Sequence, residues 1–195
     1  MRIDRRIKNG KLSQTKPSKG LLLLAEPFMA DPNFKRSVVF ICEKQKSGSV
    51  GFILNRPMPL KLSEAVEDIV NFDATLYYGG PVQTDTLHFI HNVPELEGSI
   101  KIIEGLYWGG NFEALKAMIN SGQVSPENFR FFLGYSGWDM TQLDSEMEEN
   151  SWIAHPANAA HVFKVKPDKL WREVLVEKGG EYAMMVNFPE DPSLN

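Results

Sequence analysis

Apolar residues gather in short β-branched and aromatic runs through the first half of the chain and recur at helical spacing in the second, and the two periods predict different elements. The run "GLLLLAEP" (20–27) stops at Pro27 and predicts a buried strand followed by a loop. In "RSVVFICEKQKSGSVGFILNRP" two apolar runs flank a polar Lys/Ser/Gly turn, the pattern of a β-hairpin, which Pro57 and Pro59 end. In "LSEAVEDIVN", Leu62, Ala65, Val66, Ile69 and Val70 fall on one helical face behind Ser63 as N-cap, with Glu64 in the first turn.

Further strands are predicted at "ATLYYGG", "DTLHFIHN" and "SIKIIEG", the first two joined by the turn "GGPVQT". "NFEALKAMINSG" places Phe112, Leu115, Met118 and Ile119 on one face of a helix that starts from Asn111 and ends at Gly122. "FRFFLGY" predicts a buried strand, and Met140, Leu143 and Met147 mark a helical stripe ending near Asn150. A last helix runs over Pro167–Lys178, with Leu170, Trp171, Val174 and Leu175 on one face, Pro in the first turn and Gly179-Gly180 beyond. Strands and hairpins come first, then helices mixed with strands, without regular βαβ alternation, so the expected class is α+β. No internal repeat or low-complexity linker interrupts the pattern.

Composition narrows the picture. At 195 residues and 43% hydrophobic the chain suits one domain with a continuous core. Its single cysteine, Cys42, lies in "SVVFIC" and has no partner for an internal disulfide, which points to a reducing cytoplasm. No stretch reaches the roughly 18 apolar residues of a membrane span, and the N-terminus lacks the apolar segment of an export signal. Residues 1–20 hold seven Lys/Arg and one Asp, leaving fourteen basic and twenty-four acidic residues in the rest, a formal −10. The expected organisation is a basic arm (1–18), a domain (19–188) and a mobile tail (189–195, "PEDPSLN"). The arm supports only weak, nonspecific nucleic-acid contact, because the acidic body repels phosphate.

Candidate chemistry centres on "GYSGWDMTQLDSEMEENSWI" (134–153). A hydrolase elbow, G-x-S-x-G, needs small residues on both sides of its serine. Here the second glycine comes one residue early, and Trp138 stands in its place. His155 and His161 follow in triad order, yet nothing in the sequence sets either beside Ser136. The reading favoured is a tight turn packed by Tyr135 and Trp138. Asp139 and Gln142 form a capping-box pair, while Asp144, Glu146, Glu148 and Glu149 leave the apolar stripe for a solvated face. His88 and His91 sit three apart in a predicted strand and point to opposite faces, so no metal or other cofactor is expected from them. "GGPVQ" reads first as a turn and second as an anion site. Arg36 and Arg56 flank the hairpin, where each either pairs with a carboxylate or presents a guanidinium to an anionic ligand.

Taken together, "DPNFKRSVVFICE", "GFILNRP", "GGPV", a strand ending in His91, and "FFLGYSGWDMTQLDSEMEENSWI" resemble the YqgE/AlgH family of bacterial proteins over about residues 19–165, and more loosely to 188. The resemblance implies one α+β domain with a branched mixed sheet, part of it curled into a small barrel, surrounded by helices. It implies no established activity. Some members carry a transcriptional-regulator label, but this sequence has no helix-turn-helix with a basic recognition helix, so specific DNA binding is not expected. Arg36, Asn55, Arg56, Gly79, Gly80, Pro81, His91, Gly134, Gly137, Trp138, Gln142 and Asn150 match the family motifs; Ser136 and Asp139-Met140-Thr141 depart from them. Arg36, Arg56, Gly79 and Gly80 are the ligand-binding candidates, and the others are read as structural. The expected function is a cytosolic, non-enzymatic binding or regulatory domain with an unidentified protein or small-molecule partner. The alternatives are a serine hydrolase using Ser136 and weak nucleic-acid binding through the arm.

Overall fold

Strand β1 (Leu21–Ala25) is five consecutive buried apolar residues, and a strand buried on both faces needs a neighbour on each edge. In the computed structural model, which describes residues 16–69 and 71–189, β2 (Val38–Gln45) lies on one edge and β10 (Trp152–Pro156) on the other, both antiparallel. β2 turns back into β3 (Gly48–Ile53), the predicted hairpin. β3 hands the sheet to β9 (Phe129–Asp139), and β6 (Val82–His91), β8 (Leu106–Trp108) and β7 (Ile100–Ile103) complete the order β10-β1-β2-β3-β9-β6-β8-β7.

The sheet branches at β9. β4 (Pro57–Lys61) pairs with β5 (Thr75–Tyr78), and β5 runs parallel to β9 from Leu76↔Phe131 to Tyr78↔Leu133. On the opposite edge the same part of β9 pairs with β6, while its end, Ser136 to Asp139, pairs with β3. The sheet is therefore mixed and branched, as expected. It is not closed: the strand order ends at β10 and β7, so the small barrel is not formed among the described residues.

Because β5 and β6 flank opposite edges of β9, their connection, Gly79-Gly80-Pro81, must cross over that strand. Main chain passes directly over main chain there. A Cβ on Gly80 (φ 151°) would fall inside the van der Waals radii of the Tyr135 carbonyl and the Ser136 nitrogen, and one on Gly134 (φ 68°) would lie 2.6 Å from the Gly80 oxygen. Only glycine permits this approach. The crossing is pinned by Gly79 N–H donating to Leu133 O (2.9 Å) and Ile53 N–H donating to Gly79 O (3.0 Å).

Alternation of side chains divides the core. Leu22, Leu24, Phe40, Phe52 and Phe132 face α4 (Ala159–Phe163), α5 (Pro167–Lys178) and α6 (Glu181–Met185). Leu23, Val39, Ile41 and Ile53 face α3 (Gln142–Glu148) with Trp138 and Trp152. A third cluster joins β5, β6 and β9 to α1 (Leu62–Ala65) and α2 (Phe112–Asn120). α5 has the predicted bounds, and Asn111 caps α2 by accepting the Ala114 N–H (3.1 Å). α1 is shorter than predicted, because Val66 (φ −130°, ψ 120°) is already extended, and Asp68 (φ 67°) and Asn71 (φ 57°) follow outside helical geometry; its N-cap is Lys61 rather than Ser63. Trp138 lies in β9 rather than in a turn, since the strand continues to pair with β3. The arm at 1–18, apart from 16–18, and the tail at 189–195, apart from 189, lie outside the described residues.

Gly80→Ala should destabilise the protein by about 3 kcal/mol or more, combining a disfavoured φ with a main-chain clash. Urea unfolding measures this, and an unchanged midpoint would show that β9 and the crossing are free to separate.

Candidate functional site

Ser136 sits at the crossing, with none of its side chain exposed. Its hydroxyl donates to Gly79 O at 3.0 Å. All four histidines are described, and each has its surroundings elsewhere. His91 Nε2 lies 2.8 Å from Gly109 O, and its Nδ1 accepts the Val93 N–H (3.2 Å). His155 and His161 both meet Glu177, and His88 packs among aromatic rings. The nucleophile–base contact of a serine hydrolase is not assembled around this side chain.

The carboxylates that follow divide their roles. Glu146 is not part of a solvated face: its Oε2 accepts the indole N–H groups of Trp138 (2.9 Å) and Trp152 (2.7 Å), and its Oε1 accepts from Gln142 (2.9 Å). The two indoles meet edge to face at 6.0 Å, so α3 is tied to β9 and β10 through one carboxylate. Asp144 pairs with Lys44 (3.0 Å). Asp139 ends β9 and does not cap α3, whose N-cap is Thr141; Gln142 nonetheless accepts the Asp139 N–H (3.2 Å), half of the expected capping box. Asn150, at φ 61°, closes the helix.

The motif residues near the hairpin are drawn into backbone. Asn55 accepts the Val38 N–H and donates to Arg36 O, both at 2.9 Å, substituting for a strand partner. Arg56 donates to the carbonyls of Pro32 (3.2 Å) and Lys35 (3.0 Å), and Arg36 donates to Phe188 O while lying over the Trp171 ring at 4.7 Å. Gly79 and Gly80 are buried in the crossing and Pro81 is exposed beside it, while Gly137 continues β9.

Two clefts present chemistry that these motifs do not mark. The larger, about 380 Å³, is lined by His88 and Phe89 of β6, Trp108 of β8, Gly109-Gly110 and Phe112 of α2. The His88 ring lies 5.2 Å from Phe52, 5.8 Å from Tyr135 and 6.4 Å from Trp108, and its buried Nε2 has no hydrogen-bond partner. Burial pulls its pKa below the ordinary histidine value, so the imidazole is neutral at pH 7. The smaller cleft, about 210 Å³, is walled by β5, the start of β9 and Phe163, and contains the buried Arg130. Arg130 is missed among the sequence-derived candidates, although its cue is a cation inside the apolar run "FRFFL", and His88 is weighed there only as a metal ligand beside His91.

A third cluster has metal-like spacing. His155, His161 and Glu177 bring three ligand atoms within 4.8 Å of one another. However, His161 Nδ1 accepts the Asn158 N–H (3.2 Å), which assigns the ring proton to Nε2, the atom 2.8 Å from Glu177. Ligation through that Nε2 would require the proton on the other nitrogen, against the Asn158 N–H. The trio is a clamp in which one carboxylate holds two imidazoles, joining β10, α4 and α5. It depresses the Glu177 pKa, chiefly through the His161 hydrogen bond.

The model of the AlgH-like family, DUF179, matches residues 22–183. The chain belongs to the AlgH-like family. It is similar to a UPF0301 protein of Chlorobaculum tepidum, 44% identical over 177 residues that cover 90% of this chain and 95% of the relative. A UPF0301 protein of Cytophaga hutchinsonii is 42% identical over 180 residues, 91% of this chain and 99% of its own. Among solved structures, AlgH of Pseudomonas aeruginosa superposes with a TM-score of 0.69 at 29% identity, covering 90% of this chain and 97% of that one. A Corynebacterium diphtheriae protein shares the fold, with a TM-score of 0.73 at 21% identity over 90% of this chain and 94% of its own. No helix among the described residues of this AlgH-like chain is long and apolar enough to cross a membrane.

Three imidazoles set the acid sensitivity of this AlgH-like domain. Burial lowers the pKa of His88, His91 and His155 below 6.5. The unfolded chain then binds more protons than the folded one below pH 6.5, so stability is complete above that value and falls as pH drops through the folded-state values. Glu177, lowered from 4.5, adds a second loss at more acid pH. Urea midpoints should therefore fall from about pH 7 to about pH 5, and His91→Gln should flatten that slope. A midpoint that is constant or rises on acidification would show that these rings are protonated without penalty.

Proposed function

We propose that this AlgH-like protein is a non-enzymatic binding domain of the cytosol, whose ligand seat is the aromatic cleft at His88. The observation that carries the reading is the buried, unpartnered Nε2 of His88 among aromatic walls. A neutral imidazole nitrogen left without a partner is unfavourable; it is shut off from solvent in the free protein, so a ligand that supplies the hydrogen bond does so by turning the His88 ring toward the cleft that it lines. The cleft volume is in the range of small-molecule sites. Trp108, Phe89 and Phe112 offer ring faces and edges, and Gly109-Gly110 lets main chain approach closely. The ligand class is a small, planar, uncharged heteroaromatic molecule with one hydrogen-bonding edge.

The hydrolase alternative is weakened by the same side chains. Ser136 is buried and donates its proton to Gly79 O, and each imidazole has other company. A regulatory role would follow from ligand occupancy rather than from direct reading of DNA, given the acidic body.

A heteroaromatic fragment set, screened by thermal shift and by NMR of the histidine side chains, tests the seat. Binders should raise the melting temperature, move the His88 imidazole signals, and weaken about tenfold in His88→Ala and Trp108→Ala. Binders indifferent to both substitutions, or a screen without binders, would remove the cleft as the seat. A fluorophosphonate probe addresses the serine: the wild type should remain unlabelled, and stoichiometric labelling lost in Ser136→Ala would replace the binding domain with a hydrolase.

A further inference from the structure

Arg130 is 7% exposed and lies inside the apolar start of β9. A buried guanidinium is ordinarily matched by a carboxylate, since withdrawing a charge from water without a counter-charge is strongly unfavourable. Among the described residues none forms an ion pair with it. Its Nη1 donates to Leu54 O at 2.7 Å, and the group lies over the Tyr77 ring at 4.5 Å. A guanidinium has five N–H donors in a planar fork, so one carbonyl and one ring face leave most of its capacity unused. Burial lowers its pKa, the aromatic neighbour only partly opposing the shift.

We propose that Arg130 anchors a small monoanionic carboxylate in the cleft it shares with β5 and α4. The site is separate from the His88 seat and does not depend on it. The walls decide the ligand class. Ala74, Tyr77, Phe129 and Phe163 are apolar and suit a carboxylate with a compact hydrocarbon body, within a volume of about 210 Å³. Asp73 and Glu127 also line the cleft. Asp73 is neutralised by Lys61 at 2.8 Å, and the same ammonium donates to Thr75 Oγ1 at 3.1 Å. That leaves Glu127 as the acid without a cation of its own among the described ion pairs, and it disfavours ligands with more than one negative charge. A bidentate guanidinium–carboxylate contact supplies the missing counter-charge.

The test uses the full-length protein titrated at constant ionic strength with benzoate, its neutral isostere benzamide, and inorganic phosphate. The readouts are the arginine side-chain Nε–Hε resonance of Arg130 and the melting temperature. Benzoate should shift that resonance saturably, and benzamide and phosphate should bind at least about tenfold more weakly. Arg130→Met should abolish the response and leave fragment binding at His88 unchanged. Arg130→Lys, which keeps the charge but loses the fork, should weaken it about tenfold. If the Met variant fails to fold, the wild-type resonance and the Lys variant still decide. Equal binding of benzamide, tighter binding of phosphate, unaltered affinity in either variant, or an Arg130 resonance that does not move would each overturn the proposal.

Discussion

The passage of Gly79-Gly80 over Gly134–Ser136 is the contact on which this architecture rests. A sheet can branch only where one strand offers different partners along its length, and β9 does so because β5 and β3 divide one of its edges while β6 takes the other. The chain must then change sides of β9 in three residues. Any side chain at Gly80 would push the strands apart, so glycine here is a steric requirement of the topology rather than a flexible joint. The Ser136 hydroxyl completes the crossing by donating to the carbonyl that already receives the Ile53 N–H. A hydroxyl so placed serves the fold.

Elements were legible in the sequence where a local signal and a tertiary need coincided. α5 combined a proline start, an apolar stripe and a glycine stop, and its bounds match the pattern. The hairpin β2–β3 was equally plain. α1 shows the converse: its apolar spacing favoured a longer helix, but the chain bends at Asp68 and Asn71 so that Ile69 and Phe72 reach the cluster under α2. β8 and β10 escaped because neither has an apolar run bounded by turn residues to mark it, and their existence depends on pairing with distant strands, β6 for β8 and β1 for β10. The barrel, expected from family resemblance rather than from pattern, is replaced by an open sheet.

Site chemistry was less legible than fold, for a physical reason. Composition reads Glu146 as one of several surface acids, and only the approach of two indoles from β9 and β10 makes it a shared acceptor. The solitude of His88 Nε2 is likewise a property of what surrounds it. Arg130 was passed over as well, although a cation within an apolar strand is a visible conflict between pattern and charge. Such conflicts are where sequence reasoning points most usefully to function.

The two clefts have a common structural origin. In the pairing of β6 with β9, His88 faces Phe132 and Ile90 faces Arg130, so both polar residues project from the same side of the sheet, with backbone positions about 7–8 Å apart on the diagonal. This is the side that α5 covers over β1 and β2, where the face is wholly apolar. Toward β6 and β5 only the short α4 remains to cover it, since α2 packs on the opposite face, and the sheet is wider than its helices can hide. A branched sheet produces that excess, since each branch adds a strand without adding a long helix. The exposed margin of a core face has hydrophobic walls, a low dielectric floor and access from solvent. Those conditions give a buried imidazole or guanidinium its strongest preference for a partner, and they locate recognition in this fold at the margins of the branch rather than at its glycine-locked centre.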